Sequence, residues 1–379
     1  MARINSAGSA LVFSSRMGSH TSDFFFGQAS VVAIDADGNA VIAGIANTPY
    51  TTADAFEKRF CSSLFAGGFS ETGGNFMAKW SPSGTLLYAS LLREGEAVAV
   101  DAAGDVYLKV FLPTGITLAR FDPAARPLTA SFACVLNAAS FGIASGGISP
   151  GEIVSLFGDR IGPDTPAKFQ IDSSGKFATE IGNTRVLFDG IPAPLLYAQD
   201  NQINAIVPWE LTSGSIDLPA QFVYANIVIE RNGIANSPVP ALVAASDPGI
   251  FRLDSEPYGQ GAILNQDGTV NSKKNPAQRG SVISIFATGT GPLAPIPGDG
   301  EIVADASRRV AMVIETVFHP QLEAEVLYAG AAPTLVAGLT QINVRIPKEV
   351  PDDAVVNGAK VYVRLDHRYA CFEVTVAVK

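Results

Sequence analysis

The sequence predicts an all-β protein assembled from repeated strand units, and three observations carry that expectation. Met1-Ala2-Arg3-Ile4-Asn5-Ser6-Ala7-Gly8-Ser9-Ala10-Leu11-Val12-Phe13-Ser14-Ser15 returns 76 positions on as Met77–Leu91. Gly151-Glu152-Ile153-Val154-Ser155-Leu156-Phe157 returns as Gly280-Ser281-Val282-Ile283-Ser284-Ile285-Phe286. Short apolar, β-branched runs alternate throughout with turns drawn from 36 glycines and 24 prolines, without a convincing helical period. Self-similarity at a fixed offset means that one supersecondary unit is used several times.

At 379 residues the chain is long enough for two or three domains. Hydrophobic residues make up 47% and charged residues 16%, a balance that favours packed cores over disorder. The formal charge of −10 leaves no basic footprint, so nucleic acid and anionic membrane surfaces are not expected partners. No apolar run approaches the ~20 residues needed to cross a bilayer as a helix. The opening residues lack the basic start and apolar core of a secretory signal. Met1 falls inside a repeat unit, so the chain is expected to be cut from something longer, and to be cytoplasmic if Met1 is the true start. Three cysteines, Cys61, Cys134 and Cys371, are too few and too odd in number for a disulfide framework. We expect buried free thiols, with a single bridge as the alternative.

In the N-terminal segment, Val31–Gly44 reads as strand, turn, strand around Asp35-Ala36-Asp37-Gly38-Asn39, and Ala97–Leu108 repeats it around Asp101-Ala102-Ala103-Gly104-Asp105. Asp, Asn and Gly tolerate the positive φ that such turns need. A second hairpin follows in each unit, turning at Ala7-Gly8 and Ser83-Gly84, which gives four short strands per unit, the pattern of a propeller blade. Asp35–Asn39 also imitates the start of a calcium loop, but the second copy puts Ala103 where the first has Asp37. No glutamate stands at the twelfth position, so a hairpin turn is the preferred reading and no metal ligand is assigned.

Asp101–Tyr107 and Phe76–Gly84 resemble bacterial seven-bladed β-propeller repeats. The resemblance covers about residues 1–125 and implies around two blades, where a closed ring needs four or more. Thr48–Gly74 departs from the compact repeat as an inserted loop holding Cys61. An incomplete ring is expected to leave sheet edges and apolar residues such as Val32, Ile34, Val98 and Val100 uncovered, and so to favour edge-strand self-association or docking.

After Asp122–Pro127 the texture changes. Gly151 matches Gly280 at an offset of 129, Leu196-Tyr197-Ala198 matches Leu327-Tyr328-Ala329 at 131, and Gln202-Ile203-Asn204 with Pro208 matches Gln341-Ile342-Asn343 with Pro347 at 139. The increasing offsets place the insertions in one copy, mainly at Gly330–Thr340. A competing match of Val186–Gly190 to Val326–Gly330 breaks that order and ranks second. Each copy has the size and alternation of an immunoglobulin-like sandwich. The expected division is 1–127, a partial propeller segment, then 132–247 and 248–379, two tandem Ig-like β-sandwiches. Asn137–Phe141, Ile148–Gly158, Pro248–Phe251, Gly261–Ser272, Asn275-Pro276-Ala277 and Ala287–Pro292 are similar to an uncharacterised C-terminal domain family abundant in acidobacterial proteins. Its units resemble the Ig-like modules of plexins and certain transcription factors. The resemblance implies a secreted or cell-envelope setting and carries no established activity.

Candidate chemistry is thin. Gly147-Ile148-Ser149-Pro150-Gly151 fits a G-x-S-x-G elbow, but a strand follows the serine where that motif needs a helix. His20, His319 and His367 show no metal-ligand spacing and read as turn residues. Asp159, Asp164, Asp189 and Asp200 are scattered in turns, so solvated roles are expected over a glycosidase-like pair. Trp209 after Pro208 is the one candidate ligand contact, as an exposed platform for sugar or protein, with core or inter-module packing the preferred alternative. The expectation is therefore no catalytic residue and no cofactor, in a spacer, display or adhesion module with a protein or glycan partner. The alternatives are a truncated propeller-based carbohydrate-active enzyme and a glycan-binding protein using loop aromatics.

Overall fold

The computed structural model describes residues 2–14, 28–46, 74–91, 96–112, 115–121, 131–141, 147–211, 223–254, 259–318, 322–351, 358–365, 368–369 and 374–379. Every regular element among them is a strand, and the chain divides into two compact units, residues 1–133 and 134–379.

The first unit holds three antiparallel sheets. Ala2–Ile4 and Leu11–Ser14 form a hairpin; Gln28–Ile34, Ala40–Ala46, Gly74–Trp80 and Leu86–Leu91 form a four-stranded sheet; Glu96–Val100, Val106–Leu112 and Gly115–Phe121 form a three-stranded one. One whole four-strand unit thus lies between two partial ones. The turns recur because each is closed by its own aspartate. Asp35 Oδ1 accepts the N–H groups of Asp37 at 3.0 Å and Asn39 at 2.8 Å. Asp101 Oδ1 accepts those of Ala103 at 2.9 Å and Asp105 at 3.0 Å. Gly38 and Gly104 supply the positive φ, +80° and +89°.

The long N-terminal match needs one correction. Ile4 pairs with Leu11 and Trp80 with Leu86, each beside a register shift. The first strand therefore repeats at 76, but the second repeats at 75, because the first turn carries one extra residue. Val41, Ala43, Met77 and Tyr88 on one face of the four-stranded sheet pack with Val106 of the next. Val32 and Ile34 remain 62% and 61% exposed, while Val100 packs against that cluster. The side chain of Val98, like the Thr48–Gly73 segment and His20, His319 and His367, lies outside what is described.

In the second unit one set of strands runs Ser131–Asn137, Ile153–Asp159, Gln202–Ile206, Leu195–Gln199, Ala167–Lys168. It faces a second sheet built on Thr184–Phe188 and Tyr224–Arg231, and Val154, Leu156, Val186, Phe188, Ile203, Ile227 and Ile229 are buried. The following set runs Gly249–Ile250, Val282–Thr288, Thr340–Arg345, Leu322–Ala331, Ile314–Phe318, Ala359–Leu365, Arg368–Tyr369, a nearly closed path around a core that includes Ile283, Ile285, Phe318, Ile342, Val361 and Val363.

The registers of the two sets coincide at the offsets read from the sequence. Ser155 pairs with Asn204 as Ser284 pairs with Asn343, and Phe157 pairs with Gln202 as Phe286 pairs with Gln341. Tyr197 pairs with Asn204 as Tyr328 pairs with Asn343, and a register shift precedes each tyrosine, between Leu195 and Tyr197 and between Val326 and Tyr328. This supports the 131 match over its competitor. The copies differ where prolines intervene. In the first, Ile191–Pro192 pairs with Thr184–Phe188 and Leu195–Gln199 pairs with Gln202–Ile206, as two separate strands. In the second, Glu323 and Glu325 stand where Pro192 and Pro194 would fall, and Leu322–Ala331 runs unbroken from one partner to the other. Proline lacks the N–H that a continuous ladder needs, so only the first copy is interrupted.

Candidate functional site

Within the second unit, the polar groups collect where the two strand sets meet. Thr288, at the end of Val282–Thr288, is fully buried. Its Oγ1 accepts the Ile153 N–H at 2.8 Å and donates to the Gly338 carbonyl at 2.8 Å, tying one set to the other. Asn137 Nδ2 donates to the Asp247 carbonyl at 2.8 Å, and the Asp247 N–H donates to the Gly289 carbonyl at 2.8 Å. Glycine is required twice at this contact. Gly289 has φ +71°, with the Asp247 carbonyl 1.9 Å from where a Cβ would sit, and Gly151 has φ +73°, with the Trp209 ring 2.0 Å from it.

Trp209 is therefore not a solvent-facing platform. It is 9% exposed and packs against Leu293, Val303, Ala331 and Ala337 of the second set. Its backbone N–H donates to Asp299 Oδ1 at 3.0 Å. Sugar stacking needs an open indole face, and Gly151 occupies one here. These contacts are of the packing kind that the sequence reading preferred for Trp209 over a ligand platform.

Ser149 is fully buried as well, and its hydroxyl donates to Glu152 Oε2 at 3.1 Å while its N–H donates to the same oxygen at 2.7 Å. A strand, Ile153–Asp159, follows it, so the elbow geometry is not formed. Burial, and then the charge of Asp247, push the Glu152 carboxyl well above its usual range; hydrogen bonds from Ser149 and Asn137 oppose the shift without offsetting it. Asp299 is half-buried, and its carboxyl is pushed up to about 6, by burial first and also by Glu210.

The scattered aspartates are partly convergent, which the sequence reading missed. Asp164 lies 2.7 Å and Asp200 3.6 Å from Arg231, and Asp159 lies 3.6 Å from Arg160. Burial and the neighbouring Asp159 raise the Asp200 carboxyl, against the pull of Arg231. The cluster is an arginine shared among carboxylates, and Asp189 stands apart, accepting the Asn226 N–H at 2.8 Å. In the first unit, burial alone would raise the Asp35 carboxyl, yet the Lys79 ammonium at 2.7 Å and the Asn39 bonds outweigh it and hold the group at about 2. Those oxygens already serve a turn and an ion pair, which supports the hairpin reading over a calcium loop. Among the described residues, no group of three or more His, Cys, Asp or Glu side chains is placed to hold a metal ion.

Cys134 is 2% exposed and takes part in a disulfide, which corrects the free-thiol expectation for this residue. Cys61 and Cys371 lie outside the described residues.

No family model matches the chain, and no curated protein does. Among solved structures, the γ-CGTase of alkalophilic Bacillus clarkii is similar at 11% identity and a TM-score of 0.21, over 90% of this chain and 37% of that one. A protein solved with a xylogluco-oligosaccharide is similar at 9% and 0.19, over 92% and 60%. The plexin A4 extracellular region is similar at 13% and 0.18, over 87% and 28%. This chain thus spans less than two thirds of each, and likeness at this level assigns neither chemistry nor partner.

Proposed function

We propose that the chain is a non-enzymatic spacer, display or adhesion module of a larger secreted or cell-envelope protein, built of a partial propeller segment followed by two Ig-like sandwiches. The observation that carries this reading is the junction inside residues 134–379. It is closed by a buried hydroxyl, Thr288, and by glycines that no larger residue can replace, which are features of a fixed connection rather than a hinge. A module that presents a partner at a set position needs that property. The Cys134 disulfide supports an oxidising compartment. The exposed Ile4, Leu11, Val32 and Ile34 support a further contact of the first unit with another molecule through its sheet edges.

The test is mechanical. Pulling the full chain in an optical trap should unfold residues 134–379 in one cooperative step, because neither sandwich closes its face at the junction alone. Two independent steps, each with the length of a single sandwich, would sink the reading. Turnover of generic ester, peptide or glycoside substrates that disappears on one point substitution would also sink it.

A further inference from the structure

Within the first unit one repeat interface is complete and another is half built, and the complete one is a template for the other. Gly74–Trp80 is paired on both sides, with Ala40–Ala46 and with Leu86–Leu91. Its counterpart Ala2–Ile4, 76 positions back, sits in a two-stranded sheet and pairs with Leu11–Ser14 alone among the described residues. Trp80 is 3% exposed, and Ile4 at its place is 59% exposed. Lys79 Nζ lies 2.7 Å from Asp35 Oδ2. Arg3, at the place of Lys79, is exposed and donates to the Pro82 carbonyl at 2.9 Å, with no carboxylate beside it among the described residues. Val100 packs against Val41, Ala43, Met77 and Tyr88, yet Ile34 at its place is exposed, as is Val32. Strand register puts Val32 in line with Ile42, Ala78 and Ala89, and Ile34 in line with Ala40, Trp80 and Leu86. The two exposed residues thus continue the face whose buried part includes Ile42, Ala78, Trp80 and Ala89. The Ala2–Ser14 hairpin rests at one side of the same sheet, with the Phe13 ring 2.6 Å from where a Cβ on Gly84 would sit.

We infer that the open edge of Ala2–Ile4 and the uncovered Val32 and Ile34 form one seat, and that its occupant is a further hairpin of the same repeat, two antiparallel strands closed by an Asp-x-x-Gly turn. The inference rests on the reading that the first unit makes a contact through its sheet edges, and it names the partner. An open edge offers a row of N–H and C=O groups to an added strand. Register follows from the template, in which Ala40, Val41 and Ile42 pair with Trp80, Lys79 and Ala78. Their equivalents in the occupant pair with Ile4, Arg3 and Ala2. Charge places the turn, since Arg3 takes the occupant's aspartate as Lys79 takes Asp35. The turns also meet: the Ala36 N–H donates to the Ala102 carbonyl at 2.8 Å, and the occupant's turn donates in the same way to the Ala36 carbonyl. Apolar residues at the places of Val41 and Ala43 then cover Ile34 as Val41 and Ala43 cover Val100. A second copy of this chain cannot supply the hairpin from its folded sheets. The strand that must pair with Ala2–Ile4 is the second of the hairpin, and Ala40–Ala46 and Val106–Leu112 are each paired on both sides already. The partner is therefore a further repeat unit whose second strand has a bare edge.

The full chain can be given this partner at high effective concentration by placing a copy of residues 28–76 ahead of Met1, so that Phe76 precedes Met1 as it precedes Met77. Amide exchange of Ala2–Ile4 should then slow by at least about tenfold relative to the parent chain, because edge amides become ladder amides. Ile42→Pro in the added copy puts a proline into what must be a central strand, and should return the exchange to the parent rate. Arg3→Met in the resident hairpin should lower the protection. Asp35→Asn in the added copy keeps the turn's acceptor and removes its charge, and should lower the protection likewise. The two together should lower it no further than either alone, as two ends of one ion pair do. Unchanged exchange at Ala2–Ile4, or protection that survives the proline, would overturn the seat. Protection that appears instead along Gly115–Phe121, the outer strand of the three-stranded sheet, would overturn it and leave the sheet-edge contact standing. No change at either edge would count against both readings.

Discussion

Thr288→Val removes one oxygen from the centre of the junction and leaves shape almost unchanged. In the native protein that oxygen accepts the Ile153 N–H and donates to the Gly338 carbonyl, each at 2.8 Å, with Thr288 fully buried. Valine strands both main-chain groups out of reach of water. Each buried group left without its bond costs about 1–3 kcal/mol, so the substitution, which strands two, should cost about 2–6 kcal/mol. Thr288→Ser keeps the hydroxyl and loses only a methyl group, which costs about 1 kcal/mol. For a unit of this size, 1 kcal/mol corresponds to roughly 2–4 °C in Tm. The valine variant should therefore melt about 4–24 °C below the parent and the serine variant about 2–4 °C below it. Urea unfolding followed by tryptophan emission and by far-UV circular dichroism measures both losses. Equal losses for valine and serine would show that the hydroxyl contributes only volume, and that the junction is not held by these two bonds.

Three further outcomes are expected. Gly151→Ala must place a methyl into the Trp209 ring at φ +73°, and should cost more than about 3 kcal/mol in the same assay; Gly175→Ala, at φ +79° in open space, should cost about 1 kcal/mol. Thiol titration of the denatured, unreduced chain should find one free thiol, rising to three on reduction, because Cys134 is disulfide-bonded; three before reduction would refute the bridge. Asp35, held at about 2, contributes stability that is present above about pH 4 and is lost as pH falls towards 2. Lys79→Met removes its counter-ion, so acid-induced amide exchange around residues 33–41 should set in at a higher pH than in the parent.

What was legible in the sequence was whatever is closed locally or repeated. The Asp35 and Asp101 turns could be read because donor and acceptor lie within four residues of each other. The strand pairing of the second unit could be read because Ser155 with Asn204 and Ser284 with Asn343 keep the same register in both copies. The extra residue between Ile4 and Leu11 was not legible, since an ungapped match of residue types cannot see that one turn is longer. Asp164 and Asp200 come to Arg231 from separate loops, and nothing in their spacing announces it, whereas Asp159 pairs with Arg160, its neighbour in sequence. The place of Trp209 depended on a surface more than 80 residues away in sequence, that of Leu293 and Val303.

Comparison of the two copies shows why Trp209 belongs to the junction. At the offset of the shared proline, 139, Trp209 corresponds to Lys348, just as Gly151 corresponds to Gly280 at 129. The contact itself is duplicated: the Gly280 Cβ position lies 3.5 Å from Lys348 Cε, where the Gly151 position meets the indole. Lys348 is exposed, and a lysine stem can cover a glycine while its ammonium stays in water. The indole cannot remain wet at the same cost, and in the first copy the second sandwich covers it. Glu152 and Thr288 follow the same rule, with Ser281 and Asp159 at their counterparts. By contrast, the Gln202 to Asn204 bond at 3.0 Å and the Gln341 to Asn343 bond at 2.9 Å are alike, and lie within each sheet. At these positions the copies agree on what each sandwich needs internally and differ where one of them meets its neighbour. A duplicated domain that had kept a shared binding site would show the opposite distribution, with agreement at its ends. The divergence at Trp209, Glu152 and Thr288 therefore argues that these residues serve the connection between the sandwiches and not a ligand.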